Sequence, residues 1–335
     1  MVFFLHTSIF TNSKGILFDN KFVKLFQTPA WAGVWMFFIL SGYLTGKSFC
    51  DKRYSYTFEG LCMFYKVKFK KIIIPTFSFI FICCVLVYPS FIKNNPMFLI
   101  KILTFTYNGG PGVDGIGATW YIFTLVQLYF IAPLLCFICE KLSKNIWWLG
   151  SSLILIIIMG LGYRLFCYRY GIDWYQFVYT PVYANFDLFF GGILCSFVSK
   201  KVFFTCKSEI KKISLVILFC FIFINILTYG MFFVYQYIYP SVYLLCLIFV
   251  FLSYSDEMLP YKNNNWFEFI INKFAGLSFE FYLFHSLILY VILPAFDVGN
   301  IYILHFKLLL IGGFLTLICS YGFHRIFLLP TRNLD

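Results

Sequence analysis

The sequence predicts an all-α fold, a polytopic transmembrane helix bundle of about ten spans, and three observations predict it. The chain is 61% hydrophobic and only 12% charged, about half the charged share of a soluble domain. Apolar runs of about 20 residues recur along it, each long enough to cross a hydrocarbon core of about 30 Å as a helix. Lysine and arginine fall unevenly between alternate loops, as positive-inside topology requires.

The spans follow in order. Residues 1–10 are apolar and carry His6. They are too few to cross a bilayer and lack a charged start, so either the first helix is truncated or the true start lies upstream of Met1. Residues 11–30 read as a polar external loop. The second span, about 31–50, holds AWAGVWMFFILSGYLTGKSF from Ala30 on. A loop rich in lysine follows, then a third span at about 72–91. Residues 96–107 read as an interfacial helix, and the Gly/Pro-rich stretch with Pro111 and Asp114 as an external loop. Further spans are expected at about 119–139, 146–163, 178–198, 213–233, 237–254, 274–296 and 301–320. Arg164, Arg169 and Asp173 are assigned to an external loop, and Gln236 with Pro240 to a polar break.

Counting charges orients the bundle. With both termini in the cytoplasm, eighteen of the 26 basic residues face inward and eight outward, a bias that supports this orientation; an inner or plasma membrane is expected. The net charge of +12 would suggest nucleic acid in a soluble chain. Here it sits in loops beside membrane lipid, and no nucleic-acid partner is expected. The twelve cysteines lie mostly inside spans. Cys136-x-x-Cys139 reads as helix packing rather than a metal or redox pair, so no metal is expected. No repeat, linker or soluble domain interrupts residues 1–335, which read as a single integral membrane domain.

Polar groups at membrane depth are costly, which makes them candidates for function. His6 is the first, because imidazole accepts a proton near neutral pH and suits general-base work on a hydroxyl. Packing near an interface explains it equally well. Lys68 and Lys71, three apart on one helical face, could hold phosphates, although lysines flanking a span usually fix topology. His285, Asp187 and Trp120 are candidates for substrate contact. For Trp120, anchoring in an aromatic belt is the plainer account. No phosphate loop, HExxH, GxSxG or Asp-x-Asp pattern occurs, so hydrolase and nucleotide-sugar glycosyltransferase readings gain no support.

Six stretches then occur in order: His6, GVWMFFILSGYL at 33–44, FYKVKFKKIIIP at 64–75, TWYIFTLVQLYFIAPLL at 119–135, FDLFFGGIL at 186–194 and LSFEFYLFHSLILYV at 277–291. Together they resemble the acyltransferase 3 family of integral membrane acyltransferases, in its branch that acetylates polysaccharides. The resemblance implies an O-acetyltransferase with acetyl-CoA as donor. The acceptor it implies is a capsule, exopolysaccharide or O-antigen-like glycan, and surface-polysaccharide biosynthesis proteins are implied as partners. It makes His6 the catalytic base and lets Lys68 and Lys71 stand for the family's Arg-x-x-Arg at the donor. It departs at three points: the family arginine about ten residues before the histidine is missing, Trp35 replaces an acidic residue, and HRIFLLP at 324–330 replaces a Glu-x-Pro ending. The rival readings are a polysaccharide flippase or export component without acyl transfer, and an inactive remnant.

Overall fold

The computed structural model describes Phe3, His6, Thr7 and residues 30–109, 115–201, 208–227, 235–253, 266–289 and 306–327. All regular structure among these residues is helical. Six of the helices are long and apolar enough to cross a membrane, and the chain is a polytopic helical membrane protein. The expected external loops at 11–30 and around Pro111 and Asp114, the helix end near Phe10 and the tail beyond Phe327 lie outside the described residues.

The chain divides into two compact units interleaved in sequence. The first takes Met1–Ala30, Lys66–Phe123 and Leu259–Asp335; the second takes Trp31–Tyr65 and Thr124–Met258.

The second unit is built around helix α1 (Ala30–Cys50). This segment has the length of a span but is not among the six apolar ones. Trp35, Phe38 and Ile39 are buried in protein, so the helix tolerates small and polar residues that a lipid-facing one would not. Helix α2 (Phe58–Val87) starts in this unit, with Phe64 packed among Phe49, Tyr54 and Tyr129. The lysine-rich segment is therefore mostly helical rather than a loop. Helix α3 (Pro96–Leu103) falls within the stretch 96–107 where a helix is expected. Helix α4 (Trp120–Leu142) then leads through a tight turn to α5 (Ile146–Arg169), whose first turn is capped by Asn145 accepting from the Trp147 N–H at 2.9 Å.

Helix α6 (Val182–Lys201) packs directly on α1. A Cβ on Gly42 would collide with the Phe189 carbonyl, and one on Gly192 with the Ile39 carbonyl. Gly46, one turn beyond Gly42, faces Ser196 and Ile193. This is the small-xxx-small contact by which helices in lipid approach backbone to backbone. The Lys200 ammonium donates to the Cys50 carbonyl and stands 3.9 Å from Asp51, satisfying the carboxyl end of α1. Helices α7 (Ser208–Leu227) and α8 (Tyr235–Ser253) complete the unit. Gln236 and Pro240, expected in a break, lie within α8.

The placement of Arg164 in an external loop is corrected. Helix α5 continues to Arg169, and Arg164 is a buried side chain within it, 1% exposed. Its Nη1 and Nη2 donate to Asp187 Oδ1 and Oδ2 at 3.1 and 2.5 Å. Nη2 also reaches Ser241 Oγ at 3.3 Å, so the guanidinium joins α5, α6 and α8. Hydropathy ends a span at a charge; a partner on the next helix lets the span run on.

In the first unit, α2 carries Lys68, Lys70 and Lys71 into a wide π-turn at Phe69–Ile73. Pro75 is the cause. It has no N–H to give the Lys71 carbonyl four residues back, and its ring crowds that oxygen. The helix widens there, with the Ile74 N–H reaching Phe69 O. Lys68 therefore stands at the edge of a wide turn and Lys71 within it, not at the regular α-helical spacing expected of them. The expected ninth span is interrupted at Leu277, between helices α9 (Trp266–Gly276) and α10 (Ser278–Leu287). Helix α11 (Leu308–Phe327) packs on α10 through Phe323 and Phe284, rings 5.2 Å apart.

Candidate active site

Helix α10 is the centre of the first unit's polar interior. Its sequence, SFEFYLFHSL, puts a different group toward each neighbour. Ser286 Oγ donates to the Gly115 carbonyl at 2.6 Å, and Tyr282 Oη to the Ala118 carbonyl at 2.5 Å. Tyr282 also stands edge-on to Tyr121, 5.5 Å between centroids. Gly115 has φ +96°, and a Cβ there would press on Leu287 Cα at 3.0 Å. Only glycine fits both the left-handed backbone and that approach. The turn before α4 is thereby fastened along α10.

Another face of α10 meets the amino-terminal segment. Phe3 contacts Phe281 with rings 5.4 Å apart, and His6 contacts His285 at 5.0 Å with the ring planes 73° apart. His285 is 1% exposed. Its Nδ1 lies 2.5 Å from the Tyr282 carbonyl oxygen. A carbonyl can only accept, so Nδ1 carries the proton and Nε2 keeps its lone pair. That Nε2 is buried with no hydrogen-bond partner among the described residues.

The structure thus brings His6 and His285 together, an encounter nothing in their sequence spacing foretold. Lys68 and Lys71 belong to the same unit and are half-buried at the widened turn of α2. Trp120 is also in this unit, as the first residue of α4. At 5% exposed it is enclosed by protein, unlike the lipid-facing belt residue its position suggested. Asp187 belongs to the other unit, where Arg164 engages both of its oxygens.

One pair was missed from sequence. Glu280, 1% exposed, accepts from His324 Nδ1 of α11 at 2.7 Å. The signal was present in the departure HRIFLLP, where a histidine precedes a basic residue near the end of the last apolar run. Gly42-x-x-x-Gly46 was likewise legible as a helix-contact motif and went unread.

These observations define a helical membrane protein with an imidazole pair and two lysines in one of its units. A family model described as an acyltransferase domain matches residues 1–325. The chain belongs to this family, the acyltransferase 3 family, and is a membrane acyltransferase. No curated protein and no solved structure matches it.

Proposed function

We propose that this acyltransferase moves an acetyl group from cytoplasmic acetyl-CoA to a hydroxyl of a cell-surface or exported polysaccharide, working in the inner or plasma membrane with both termini inside. The observation that carries the reading is the company of His6. A histidine contacting a second, buried imidazole is held for proton chemistry, whereas a histidine anchored at an interface needs no such neighbour.

In this reading Lys68 and Lys71 hold the phosphates of CoA. Ammonium groups serve there as point charges without the fork of arginine. His6 takes the proton of the acceptor hydroxyl as its oxygen attacks the acetyl carbon. The carbon–sulfur bond breaks, and the imidazolium returns the proton to the CoA thiolate, giving the ester and the free thiol. Trp120, enclosed at the start of α4, lies against the acceptor. Asp187 keeps its structural partner and takes no part in the chemistry.

The test is transfer of radiolabelled acetyl from acetyl-CoA to glycan in membranes of cells that make the protein with its polysaccharide. Label enters the glycan with the wild-type chain and not with His6→Ala. Labelled glycan at the wild-type level from His6→Ala ends the reading. A protein that exports glycan with no acetyl transfer would return the assignment to transport.

A further inference from the structure

Resting on the reading of His6 as the base, we propose that His285 is its positioning residue: the Nε2 lone pair of His285 accepts a hydrogen bond from the N–H of His6, so that the opposite His6 nitrogen faces the acceptor hydroxyl.

Three features of α10 support this. The Nδ1–H···O=C bond to Tyr282 at 2.5 Å fixes the tautomer of His285, leaving Nε2 as an acceptor and nothing else. That atom is buried and unpartnered among the described residues, a costly state that calls for a reason. The ring of His6 is the titratable neighbour at hand, with centroids 5.0 Å apart. Two imidazoles joined by one N–H···N bond stand about that far apart, since a bond of about 2.9–3.0 Å is added to the two ring radii. Such bonds are often long before substrate arrives and tighten in the reacting complex.

The tie of His285 to Tyr282, and of Tyr282 and Ser286 to the turn at Gly115–Ala118, keeps the acceptor from turning away. The arrangement has the logic of a base oriented by a third group, with a neutral ring where other enzymes use a carboxylate. His285 takes no proton itself. When His6 accepts the hydroxyl proton, the charge on its ring strengthens the bond to Nε2, and this support is greatest where the transfer needs it. The proton then leaves His6 for the CoA thiolate, and His285 ends as it began.

The experiment compares His285→Phe with His285→Gln in the same membrane assay, with His6→Ala alongside. Phenylalanine keeps a flat ring against His6 and has no acceptor; glutamine offers an acceptor oxygen. We expect His285→Phe to lower kcat on the order of tenfold or more, with KM for acetyl-CoA within about twofold. His285→Gln should recover a large part of that loss. Should His285→Phe not accumulate in membranes, His285→Leu against His285→Gln carries the same contrast. Wild-type kcat in the variant lacking an acceptor, or glutamine no better than it, overturns the positioning role. If His6→Ala is silent while His285→Phe is fully active, this proposal alone fails. If His6→Ala stays active, the base assignment fails and the positioning role with it.

Discussion

The two units bury different kinds of polar group, although each leaves some polar atoms unpartnered among the described residues, Arg164 Nε and Asn185 Oδ1 in the unit of α5 and α6 among them. In the unit of α1 and α5 to α8, the buried arginine meets a buried carboxylate through two hydrogen bonds, and helices touch through glycine. In the unit of α10 and α11, an imidazole nitrogen of His285 and the second carboxylate oxygen of Glu280 are buried without partners among the described residues. An ion pair with both carboxylate oxygens engaged joins helices. Groups kept short of a partner are expensive, and they are what a ligand or a proton can use. On the proposed reading Asp187, with both oxygens engaged by Arg164, goes with the scaffold, and His285, with Nε2 unpartnered among the described residues, goes with the chemistry.

Breaking each side of the comparison should have a different signature. The largest effect is expected from His6→Ala. Removing a general base costs about 10²–10⁴ in rate, and here the purified protein should keep the wild-type melting curve in detergent. A lowered curve matching the lost activity would make His6 a packing residue.

Asp187→Ala should act the other way. Stranding the Arg164 charge costs about 3–5 kcal/mol, seen as lower yield and melting temperature, while the molecules that do fold transfer at a near-normal rate. Normal stability combined with a raised KM for acceptor would move Asp187 to the substrate.

Gly42→Ala tests the backbone contact of α1 with α6. Forcing a methyl group against the Phe189 carbonyl should cost about 1–3 kcal/mol, measurable as a melting shift. An unchanged melting temperature would mean that α1 can move aside.

The smallest effect is expected from Lys68→Gln. Removing one of several positive charges should raise KM for acetyl-CoA about tenfold, or about 1.4 kcal/mol, with kcat nearly unchanged. Unaltered binding of acetyl-CoA would leave this lysine a topological role only.

Much of the fold was legible. The apolar stretches at 119–139, 178–198 and 237–254 became α4, α6 and α8 within a few residues. Misreadings arose where tertiary partners override local character. Arg164 looked like the end of a span because its carboxylate lies on another helix. The lysines before Pro75 looked like a loop, although the helix accommodates the proline by widening instead of stopping. The candidate site was legible as a set of residue types and not as an arrangement. His6 and His285 are far apart in sequence, and no periodicity links them.

Composition and the length of the apolar runs were sufficient to establish a helical membrane protein, because a bilayer leaves the backbone few ways to satisfy its hydrogen bonds. The ordered motifs from His6 to LSFEFYLFHSLILYV were sufficient to reach the family. Which buried polar groups meet was settled by packing alone. An ion pair or an imidazole contact depends on distances of a few ångströms between helices, and linear spacing carries no record of them.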